Sequence, residues 1–426
     1  MSYNYGHDIL NAVSERNDLK ICIFGAGDYG MRMYHMLKVC KIKAAMFSDN
    51  NPLKWDTKVV DEVKCFNPKS LLDDTKLRVI VAVKNNQDVI ADDLRNRGFD
   101  KIVLMSEIEE EINERIDEII NGYGVDLVKY MSVTGRGTDK CLENDCFPMP
   151  VHFYQPVPNI KDLERRNIWD KVSGLDGVVW EPNKYLANLS ELSAYQPKQS
   201  WPRQQTDDAM EFNLDNTSFS YMCASALYGM IRKYRPKRIV EIGSGNSSKV
   251  IRQALLDNSS DDENCEFNYT IIDPYCAFDE QMFTGGGINA TTLKIPVEES
   301  GIGLFKELEE NDILFIDSSH TVCIGGDVNF EILEVLPVLA NGVIVHFHDI
   351  SLPYEYPKIY ATNPAFRVFW TESYLLQAFL AFNNQFEILL PVQHLCTKHF
   401  DEVRKLYPQM LVPFDWSSAS MWIRRK

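Results

Sequence analysis

The sequence predicts two α/β domains, each built around a parallel sheet of the Rossmann-like kind. Short apolar runs alternate with helical patterns in the first hundred residues, as in the run 21–24 followed by a helix over 29–40. The same alternation returns after residue 216, and in both halves a glycine-rich turn directly follows a strand. Strands separated by helices favour parallel sheets with crossover helices, which is the basis of this fold class.

The domain boundaries follow from where this alternation stops. A chain of 426 residues exceeds the usual size of one domain. The N-terminal series has apolar runs at 21–24, 44–47, 78–83 and 101–105. An acidic helix over 107–120 follows, and its periodicity then fades into a connection marked by glycine and proline. We therefore predict a small Rossmann-like domain over 1–125, a linker and cap segment over 126–215, and a second α/β domain over 216–426.

The second domain carries the stronger strand signal. A helix over 219–234 leads into four apolar runs that predict buried parallel strands, at 238–242, 268–273, 312–317 and 342–347. The segment 151–215 before them is irregular and rich in Trp, Tyr, Pro and Asn. Such a segment is typical of a cap over a binding site.

Composition narrows the class of partner. The chain is 45% hydrophobic and 25% charged, and no apolar run approaches the roughly 20 residues of a membrane span. A net charge of -17 repels polyphosphate backbones, which argues against nucleic acid and favours a small-molecule partner. Ten cysteines without paired spacing indicate reduced thiols. Since the N-terminus also lacks the pattern of a signal peptide, we predict a cytoplasmic location.

A glycine turn marks the first candidate site. The strand that ends at residue 242 runs into Gly243-Ser244-Gly245, at the edge where open parallel sheets bind ligands. The two glycines allow a ligand to approach the backbone. The next strand ends at Asp273, where a carboxylate can accept hydrogen bonds from both ribose hydroxyls. Taken together these features predict a nucleoside pocket, although each alone is also compatible with an ordinary strand-to-helix turn.

Polar residues follow the two later strands at the same predicted edge. Asp317 and His320 follow one strand, and His348 and Asp349 follow the other. Histidine titrates near neutrality and suits a general base, whereas carboxylates suit a divalent metal, and either can activate a hydroxyl. His346 lies two residues before His348, and we predict a structural role for it.

The order of these motifs resembles a known enzyme class. The series RIVEIGSG, IIDP, DILFIDSSH and a glycine-led strand is similar to class I S-adenosylmethionine (SAM)-dependent methyltransferases. Within them it resembles the macrocin O-methyltransferase family and the methyltransferases of bacterial polysaccharide clusters, over roughly 151–390. The resemblance implies methyl transfer from SAM to a hydroxyl of a saccharide, nucleotide-sugar or natural product. It implies cofactor contacts from Glu241, Gly243, Ser244, Gly245, Asp273 and Asp317.

The resemblance also bears on a metal. It implies Mg²⁺ held by carboxylates at positions that Asp317 and Asp349 match, whereas His348 departs from the acidic or amide residue usual there. The candidate metal ligands are Asp317, His348 and Asp349. A softer metal stays open, as does a metal-free reaction with His320 or His348 as base. The candidate catalytic residues are His320, His348, Asp317 and Asp349, and candidates for contacting a sugar are Tyr154, Trp180, Trp370 and Glu372.

A second glycine motif lies near the N-terminus. Gly25-Ala26-Gly27-Asp28-Tyr29-Gly30 follows a strand, and Asp49 comes about 20 residues later, as in a dinucleotide fingerprint. The unit is short and lacks a second mononucleotide-binding half. With Phe47-Ser48-Asp49-Asn50-Asn51-Pro52 it resembles the small N-terminal domain of bacterial nucleotide-sugar acyltransferases. That resemblance implies a nucleotide-sugar or carrier-linked acceptor held by Gly25, Gly27, Gly30 and Asp49.

Other functions stay open at this point. The N-terminal domain has a second interpretation, in which it has lost its ligand and serves assembly, with a homo-oligomer as one outcome. Two alternatives concern the whole chain. One is an NAD(P)-dependent oxidoreductase that uses the Gly25 loop, and the other is a non-catalytic binding protein with a degenerate methyltransferase fold.

Overall fold

The computed structural model describes residues 20–72, 74, 76–197, 200–364, 367–410 and 419–426. Residues 1–19, on which the signal-peptide prediction depends, lie outside this range. The chain divides into two compact units, Met1–Pro150 and Val151–Lys426. The finer division at residues 125 and 215 stays a prediction. None of the described helices combines the length and the apolar character needed to cross a bilayer.

The N-terminal unit is a three-layer α/β unit. Its strands are β1 (Lys20–Phe24), β2 (Ala44–Ser48), β3 (Lys58–Val60), β4 (Val63–Phe66), β5 (Leu77–Val81) and β6 (Ile102–Leu104). Its helices are α1 (Asp28–Val39), α2 (Gln87–Asn96), α3 (Met105–Ile119), α4 (Val125–Thr134) and α5 (Thr138–Leu142). Two short 3₁₀ helices cover Pro52–Lys54 and Pro68–Leu71. The sheet order is β3-β4-β2-β1-β5-β6, and all neighbours are parallel except β3 and β4.

Alternating residues of the central strand β1 pack on opposite faces of this sheet. Ile21 and Ile23 belong to one buried cluster with residues of α1 and α3, whereas Cys22 and Phe24 belong to another with residues of α2. Covering both faces explains why the central strands β1 and β5 are apolar at almost every position. The alternation in the sequence therefore predicted this unit correctly.

One helix boundary was predicted wrongly. The acidic helix predicted to end near residue 120 continues through a π-helical turn, Ile120–Gly124, into α4 and ends at Thr134. Gly122 and Gly124 lie in the π turn. Each glycine costs about 1 kcal/mol in a helix, and this penalty made the segment resemble a connection. Gly135, with φ +70, then closes the helix in the left-handed conformation typical of a C-terminal cap.

The C-terminal unit is larger. Its strands are β7 (Arg238–Ile242), β8 (Phe267–Ile272), β9 (Ile288–Leu293), β10 (Ile313–Ile316), β11 (Ile344–His348), β12 (Phe386–Pro391) and β13 (Ser420–Arg425). Its helices are α6 (Ile160–Arg165), α7 (Pro182–Leu192), α8 (Tyr221–Tyr234), α9 (Asn246–Asp261), α10 (Gly303–Lys306), α11 (Asp327–Asn329), α12 (Leu336–Val338), α13 (Lys358–Thr362), α14 (Glu372–Leu380), α15 (Val392–Lys398) and α16 (Phe400–Leu406). A π-helical stretch covers Phe330–Val335, and short 3₁₀ helices cover Ile168–Asp170, Glu280–Met282 and Val297–Glu299.

The seven-stranded sheet of this unit has the order β12-β13-β11-β10-β7-β8-β9. The strands β11 to β9 are parallel, and β13 pairs antiparallel with both β11 and β12. The four strands predicted from the sequence correspond to β7, β8, β10 and β11, and two mostly parallel α/β units are confirmed.

The register of the central strands positions the site. Ile242 of β7 is level with Ile272 of β8 and with Ile316 of β10, which in turn is level with Phe347 of β11. The four strands therefore finish at the same height, and the residues that follow them meet at one edge, where open parallel sheets bind their ligands.

Candidate active site

Gly243 forms the tight turn after β7. Its φ is +79, and a Cβ added there would lie 2.0 Å from the backbone oxygen of Asp317. The amide of Asp317 in turn donates a hydrogen bond to the Ile242 carbonyl, 2.9 Å away. Residue 243 therefore has to be glycine, because the chain leaving β10 passes directly against it.

Asp273 lies against the same turn. Its Oδ2 accepts hydrogen bonds from the Ser244 amide at 3.0 Å and the Ser244 hydroxyl at 2.5 Å, and its Oδ1 accepts from the Tyr275 amide at 2.8 Å. Beside it, a Cβ placed on Gly245 would meet no atom within 4 Å. The structure thus brings the acid and the glycine loop together and leaves open space over Gly245.

Glu241 supports the loop from inside the sheet. Its side chain is fully buried, and Oε2 accepts hydrogen bonds from Tyr269 and, at 2.8 Å, from the Ser248 hydroxyl. Ser248 also accepts a hydrogen bond from the Gly245 amide at 3.0 Å. Burial is the main cause that raises the pKa of Glu241 to about 7, against the effect of its hydroxyl donors.

This raised pKa gives a testable pH dependence. Because the carboxyl has a pKa of about 7 when folded and about 4.5 when unfolded, its stabilising contribution is complete below pH 4.5 and is lost as the pH rises through 7. We expect Glu241→Gln, which carries no charge, to gain about 2 kcal/mol of stability relative to the wild type between pH 5 and pH 8. Thermal melts of both proteins across this range measure it. If the difference in melting temperature between the two proteins stayed the same at every pH, Glu241 would not titrate in this range.

His320 is the centre of a buried polar cluster. Its Nε2 lies 3.3 Å from Asp317 Oδ1 and 3.6 Å from Asp349 Oδ2, while its Nδ1 lies 2.8 Å from Glu372 Oε2. The ligand atoms of Asp317, His320 and Asp349 lie within 4.8 Å of one another, close enough to hold one metal ion. The imidazole therefore has one nitrogen fixed by a buried glutamate and the other facing two aspartates.

The backbone of this cluster is strained. His320 has φ +58 and Asp349 has φ +52, in the left-handed region that residues with a Cβ rarely adopt. Each such conformation costs about 1 kcal/mol or more and persists only where the surrounding contacts enforce it. Strain at two of the three converging residues is typical of a functional site.

The histidine and the carboxylates of this cluster shift one another's pKa values. Burial lowers the pKa of His320, but the carboxylates of Asp317 and Glu372 outweigh it and hold the pKa well above its usual value. Burial raises the pKa of Asp317, but the nearby histidines, His348 first, outweigh it and lower the pKa to about 2. A positive charge between the aspartates is therefore strongly favoured, as a proton on His320 or as a metal ion.

His348 lies beside this cluster but makes no hydrogen bond to its described residues. Its Nε2 is 3.9 Å from Asp349 Oδ1, and its buried ring packs on Phe219 with ring centroids 4.9 Å apart. The structure thus brings His320, rather than His348, together with the two aspartates, and the predicted metal role of His348 is not favoured by this geometry. His346 stacks on Phe315 at 4.1 Å inside the core, in keeping with a structural role.

Glu372 belongs to the same buried cluster, in a place that the sequence did not indicate. It was expected to contact a sugar, but its side chain is fully buried behind His320 and cannot reach a substrate directly. The backbone amides of Thr371 and Glu372 both donate to the His320 carbonyl, at 2.9 and 3.1 Å. His320 and Glu372 lie 52 residues apart in the chain, and no short sequence pattern indicates that they are in contact.

Among the predicted aromatic contacts, Trp370 lies at the cluster. Its ring centroid is 4.5 Å from that of His320, and Tyr360 packs on its other edge at 4.8 Å. Trp180 instead packs against Tyr185 and His394. Trp370 therefore lies beside the buried polar cluster, whereas Trp180 does not contact His320.

The N-terminal loop repeats the geometry of the C-terminal one. The Ala26 amide, between Gly25 and Gly27, donates to Asp49 Oδ2 at 2.9 Å, as Ser244 does to Asp273. Asp49 also accepts from Lys54 Nζ at 3.1 Å. A Cβ on Gly30 would lie 1.8 Å from the Gly25 oxygen, whereas a Cβ on Gly27 would meet no atom within 4 Å. The four predicted residues thus lie around one turn.

Comparison with known proteins agrees with this geometry. Residues 240–350, which run from the end of β7 past β11, match the model of a methyltransferase domain. The matched segment includes the glycine loop, Asp273, Asp317, His320 and Asp349. The C-terminal unit is therefore a class I methyltransferase domain, a class that uses SAM as methyl donor.

A relative of part of the chain is known from an archaeon. An uncharacterized protein of Archaeoglobus fulgidus is 31% identical over 183 residues, which are 39% of this chain and 76% of the relative. The chain belongs to the same family as this protein. The methyltransferase match favours neither the oxidoreductase nor the non-catalytic alternative.

Proposed function

We propose that the protein transfers the methyl group of SAM to a hydroxyl oxygen of a saccharide, nucleotide-sugar or related polar small molecule. The observation that carries this proposal is the convergence of Asp317, His320 and Asp349 beside the Gly243 turn. A hydroxyl is a poor nucleophile until its proton is removed or its oxygen is polarised, and this cluster offers groups for both tasks.

The loop residues fit the cofactor. The open space over Gly245 allows a ligand to lie against the backbone, and Asp273 presents a carboxylate suited to the hydroxyls of a ribose. In this proposal Gly243, Ser244 and Gly245 hold the methionine part, and Glu241 positions the loop through Ser248. Bound SAM supplies a methyl group on a sulfonium, which is electrophilic without further activation.

Calorimetry with S-adenosylhomocysteine tests the cofactor site. We expect binding by the wild type and at least tenfold weaker binding by Asp273→Ala, because a charged hydrogen-bond acceptor is lost. Asp279→Ala is the matched control, because among the described residues the Asp279 carboxylate accepts a hydrogen bond from the Gln281 amide of its own turn and from no other group. Failure of the wild type to bind would contradict the enzymatic proposal itself.

His320 is the proposed proton acceptor. The Glu372 carboxylate at Nδ1 fixes that nitrogen as a hydrogen-bond donor and leaves Nε2 facing the two aspartates. Because the carboxylates hold the pKa of His320 above its usual value, the metal-free reaction needs the fraction of the protein in which Nε2 has lost its proton, and its rate is expected to rise with pH. Glu372 is then a positioning residue. Asp317 and Asp349 hold the positive charge that results, and Trp370 offers an aromatic face for the acceptor. The acceptor oxygen would form a bond to the methyl carbon as the bond from that carbon to sulfur breaks, with S-adenosylhomocysteine as the leaving group. The hydroxyl proton would pass to Nε2 of His320.

The same three residues also fit a divalent metal. Two carboxylates and one imidazole favour a borderline ion such as Mn²⁺ or Zn²⁺ over Mg²⁺, which prefers oxygen ligands alone. Such an ion would polarise the acceptor hydroxyl and make its proton easier to remove. The carboxylate of Glu372 behind His320 is the outer-shell partner that metal-bound histidines usually have.

Chelation separates these two mechanisms. Transfer of labelled methyl from SAM to a panel of sugar nucleotides and polyols gives the activity, and the protein is then assayed after dialysis against EDTA. A metal-assisted reaction is expected to lose at least tenfold in rate and to recover with Mn²⁺ or Zn²⁺. Unchanged activity assigns the reaction to His320 alone.

For the N-terminal loop we propose a nucleotide-sugar ligand. The hydrogen bond from Ala26 to Asp49 supports this, because it matches the cofactor turn of the other unit. Calorimetry with UDP-sugars, NAD and NADP tests this proposal. If none of these compounds gives a heat of binding, the result favours the interpretation that the N-terminal domain has lost its ligand.

A further inference from the structure

The last helix of the N-terminal unit, α5 (Thr138–Leu142), ends in a turn that two cysteines share. The amide of Cys146 donates a hydrogen bond to the Cys141 carbonyl, 3.0 Å away. Inside this bond, the amide of Asp145 donates to the Leu142 carbonyl at 3.1 Å, and Asp145 has a left-handed φ of +54. Two nested hydrogen bonds around a left-handed residue form a Schellman motif, which is a common way for a helix to end.

This motif brings the two thiols together. Side chains at its first and last residues commonly contact each other, and here those residues are Cys141 and Cys146. Because the amide of one cysteine bonds to the carbonyl of the other, their Cα atoms lie no more than about 7 Å apart, which a disulfide can span. The Cys146 Sγ also lies 3.4 Å from the Cys141 carbonyl oxygen, so this side chain turns back toward its partner.

The two sulfurs also interact with each other. The pKa of the Cys141 thiol is raised above its ordinary value, by desolvation first and then by a hydrogen bond with the Cys146 thiol. Cys146 is exposed, whereas Cys141 is partly buried. An oxidant therefore reaches Cys146 first, and Cys141 is the neighbouring thiol that can attack the product.

We infer that Cys141 and Cys146 form a reversible disulfide by exchange with a low-molecular-weight disulfide such as oxidised glutathione. The Cys146 thiolate attacks one sulfur of that disulfide, forms a mixed disulfide and releases one thiol. The Cys141 thiolate then attacks the Cys146 Sγ and releases the second thiol. The protein loses two protons and two electrons, and the small disulfide takes up both. This inference concerns the N-terminal unit and does not depend on the proposed function.

The position of the pair favours reversible oxidation over a permanent cross-link. The disulfide would close a loop of six residues, 141–146, and so short a loop removes little entropy from the unfolded chain. Exposed disulfides are also the ones that thiols reduce most easily. Two acidic residues, Glu143 and Asp145, lie between the cysteines and disfavour their thiolates. The exchange is therefore expected to be slow near neutral pH and to accelerate as the pH rises.

Mass spectrometry after exposure of the full chain to oxidised glutathione tests the inference. Cleavage after Lys140 and Lys161 gives one peptide, 141–161, that contains both cysteines. In the wild type this peptide is expected to be lighter by two hydrogen atoms and to resist alkylation until dithiothreitol is added. In Cys141→Ser the same peptide should instead keep one glutathione on Cys146, because the second thiol is missing.

Cys323 is the control within the same molecule. It is exposed, and no hydrogen bond joins it to another cysteine among the described residues, so it should keep glutathione in both proteins. A wild-type peptide 141–161 that kept glutathione as Cys323 does would overturn the inference. A disulfide from Cys141 or Cys146 to any other cysteine would overturn it as well.

Two variants of Asp145 test whether the turn brings the thiols together. Proline lacks the amide that bonds to Leu142 and cannot adopt a positive φ, so Asp145→Pro is expected to slow disulfide formation at least tenfold. Asp145→Gly is the matched control, because it removes the same carboxylate while glycine adopts the left-handed conformation readily. It should form the disulfide at least as fast as the wild type. Equal rates in the two variants would contradict the proposed geometry.

Discussion

Replacing His320 by alanine is expected to lower kcat at least a hundredfold while leaving the affinity for S-adenosylhomocysteine nearly unchanged. In its neutral form the imidazole is the group of the proposed cluster that takes up the acceptor proton, and loss of a general base typically costs 10²- to 10⁴-fold. Its atoms lie at the aspartates, whereas the cofactor is expected to contact Gly243, Gly245 and Asp273. Labelled methyl transfer and calorimetry on one preparation measure both quantities.

His348→Ala is the matched control for this prediction. It removes a second buried imidazole from the same sheet edge, but one whose ring packs on Phe219 and whose nitrogens make no hydrogen bond to the described residues. We expect a lower melting temperature and a change in kcat of less than tenfold. If His348→Ala instead lost as much activity as His320→Ala with folding intact, the catalytic role would belong to His348.

Gly243→Ala is expected to have the largest effect on folding. The added Cβ would lie 2.0 Å from the Asp317 backbone oxygen, and neither backbone can move without separating the ends of β7 and β10. A positive φ adds to the cost. We expect the unit to lose about 3 kcal/mol or more, together with all cofactor binding. Denaturant melts and calorimetry measure these two losses.

Gly245→Ala separates folding from binding. A Cβ at this position meets no protein atom within 4 Å, and its φ of 172 is accessible to any residue. Stability is therefore expected to stay close to that of the wild type, while affinity for S-adenosylhomocysteine falls because the methyl group occupies the space proposed for the ligand. Equal binding by this variant and the wild type would place the cofactor elsewhere.

Local patterns were enough to predict four strands of each sheet, but not the remaining strands or the polar cluster around His320. The apolar runs predicted β7, β8, β10 and β11, because a strand buried on both faces needs apolar residues at nearly every position. The strand β9 lies at the edge of the sheet and has the sequence Ile-Asn-Ala-Thr-Thr-Leu. Polar residues interrupt its apolar ones, so the sequence contains no continuous apolar run that would predict a strand there. The antiparallel β13 pairs with β11 across more than 70 residues of chain, which no short pattern indicates.

The sequence predicted those residues of the candidate site that directly follow a strand. Gly243, Asp273, Asp317 and Asp349 each directly follow a strand, and the level register of the sheet brings them together. Which of the two histidines, His320 or His348, lies against the aspartates depends on the direction of its side chain after the strand has ended. His320 has a left-handed backbone and turns its ring back toward the aspartates, which sequence spacing does not reveal.

The contact between His320 and the start of α14 has a consequence for acceptor choice. The His320 carbonyl accepts hydrogen bonds from Thr371 and Glu372, and its ring packs on Trp370, the proposed acceptor contact. In the proposed mechanism, the residue that takes up the proton and the residue that contacts the acceptor are therefore held in direct contact with each other. A substitution at Trp370 intended to admit a bulkier acceptor would also displace the imidazole. Laboratory evolution toward new acceptors would therefore have to find compensating pairs of changes, because turnover and substrate range cannot be tuned separately.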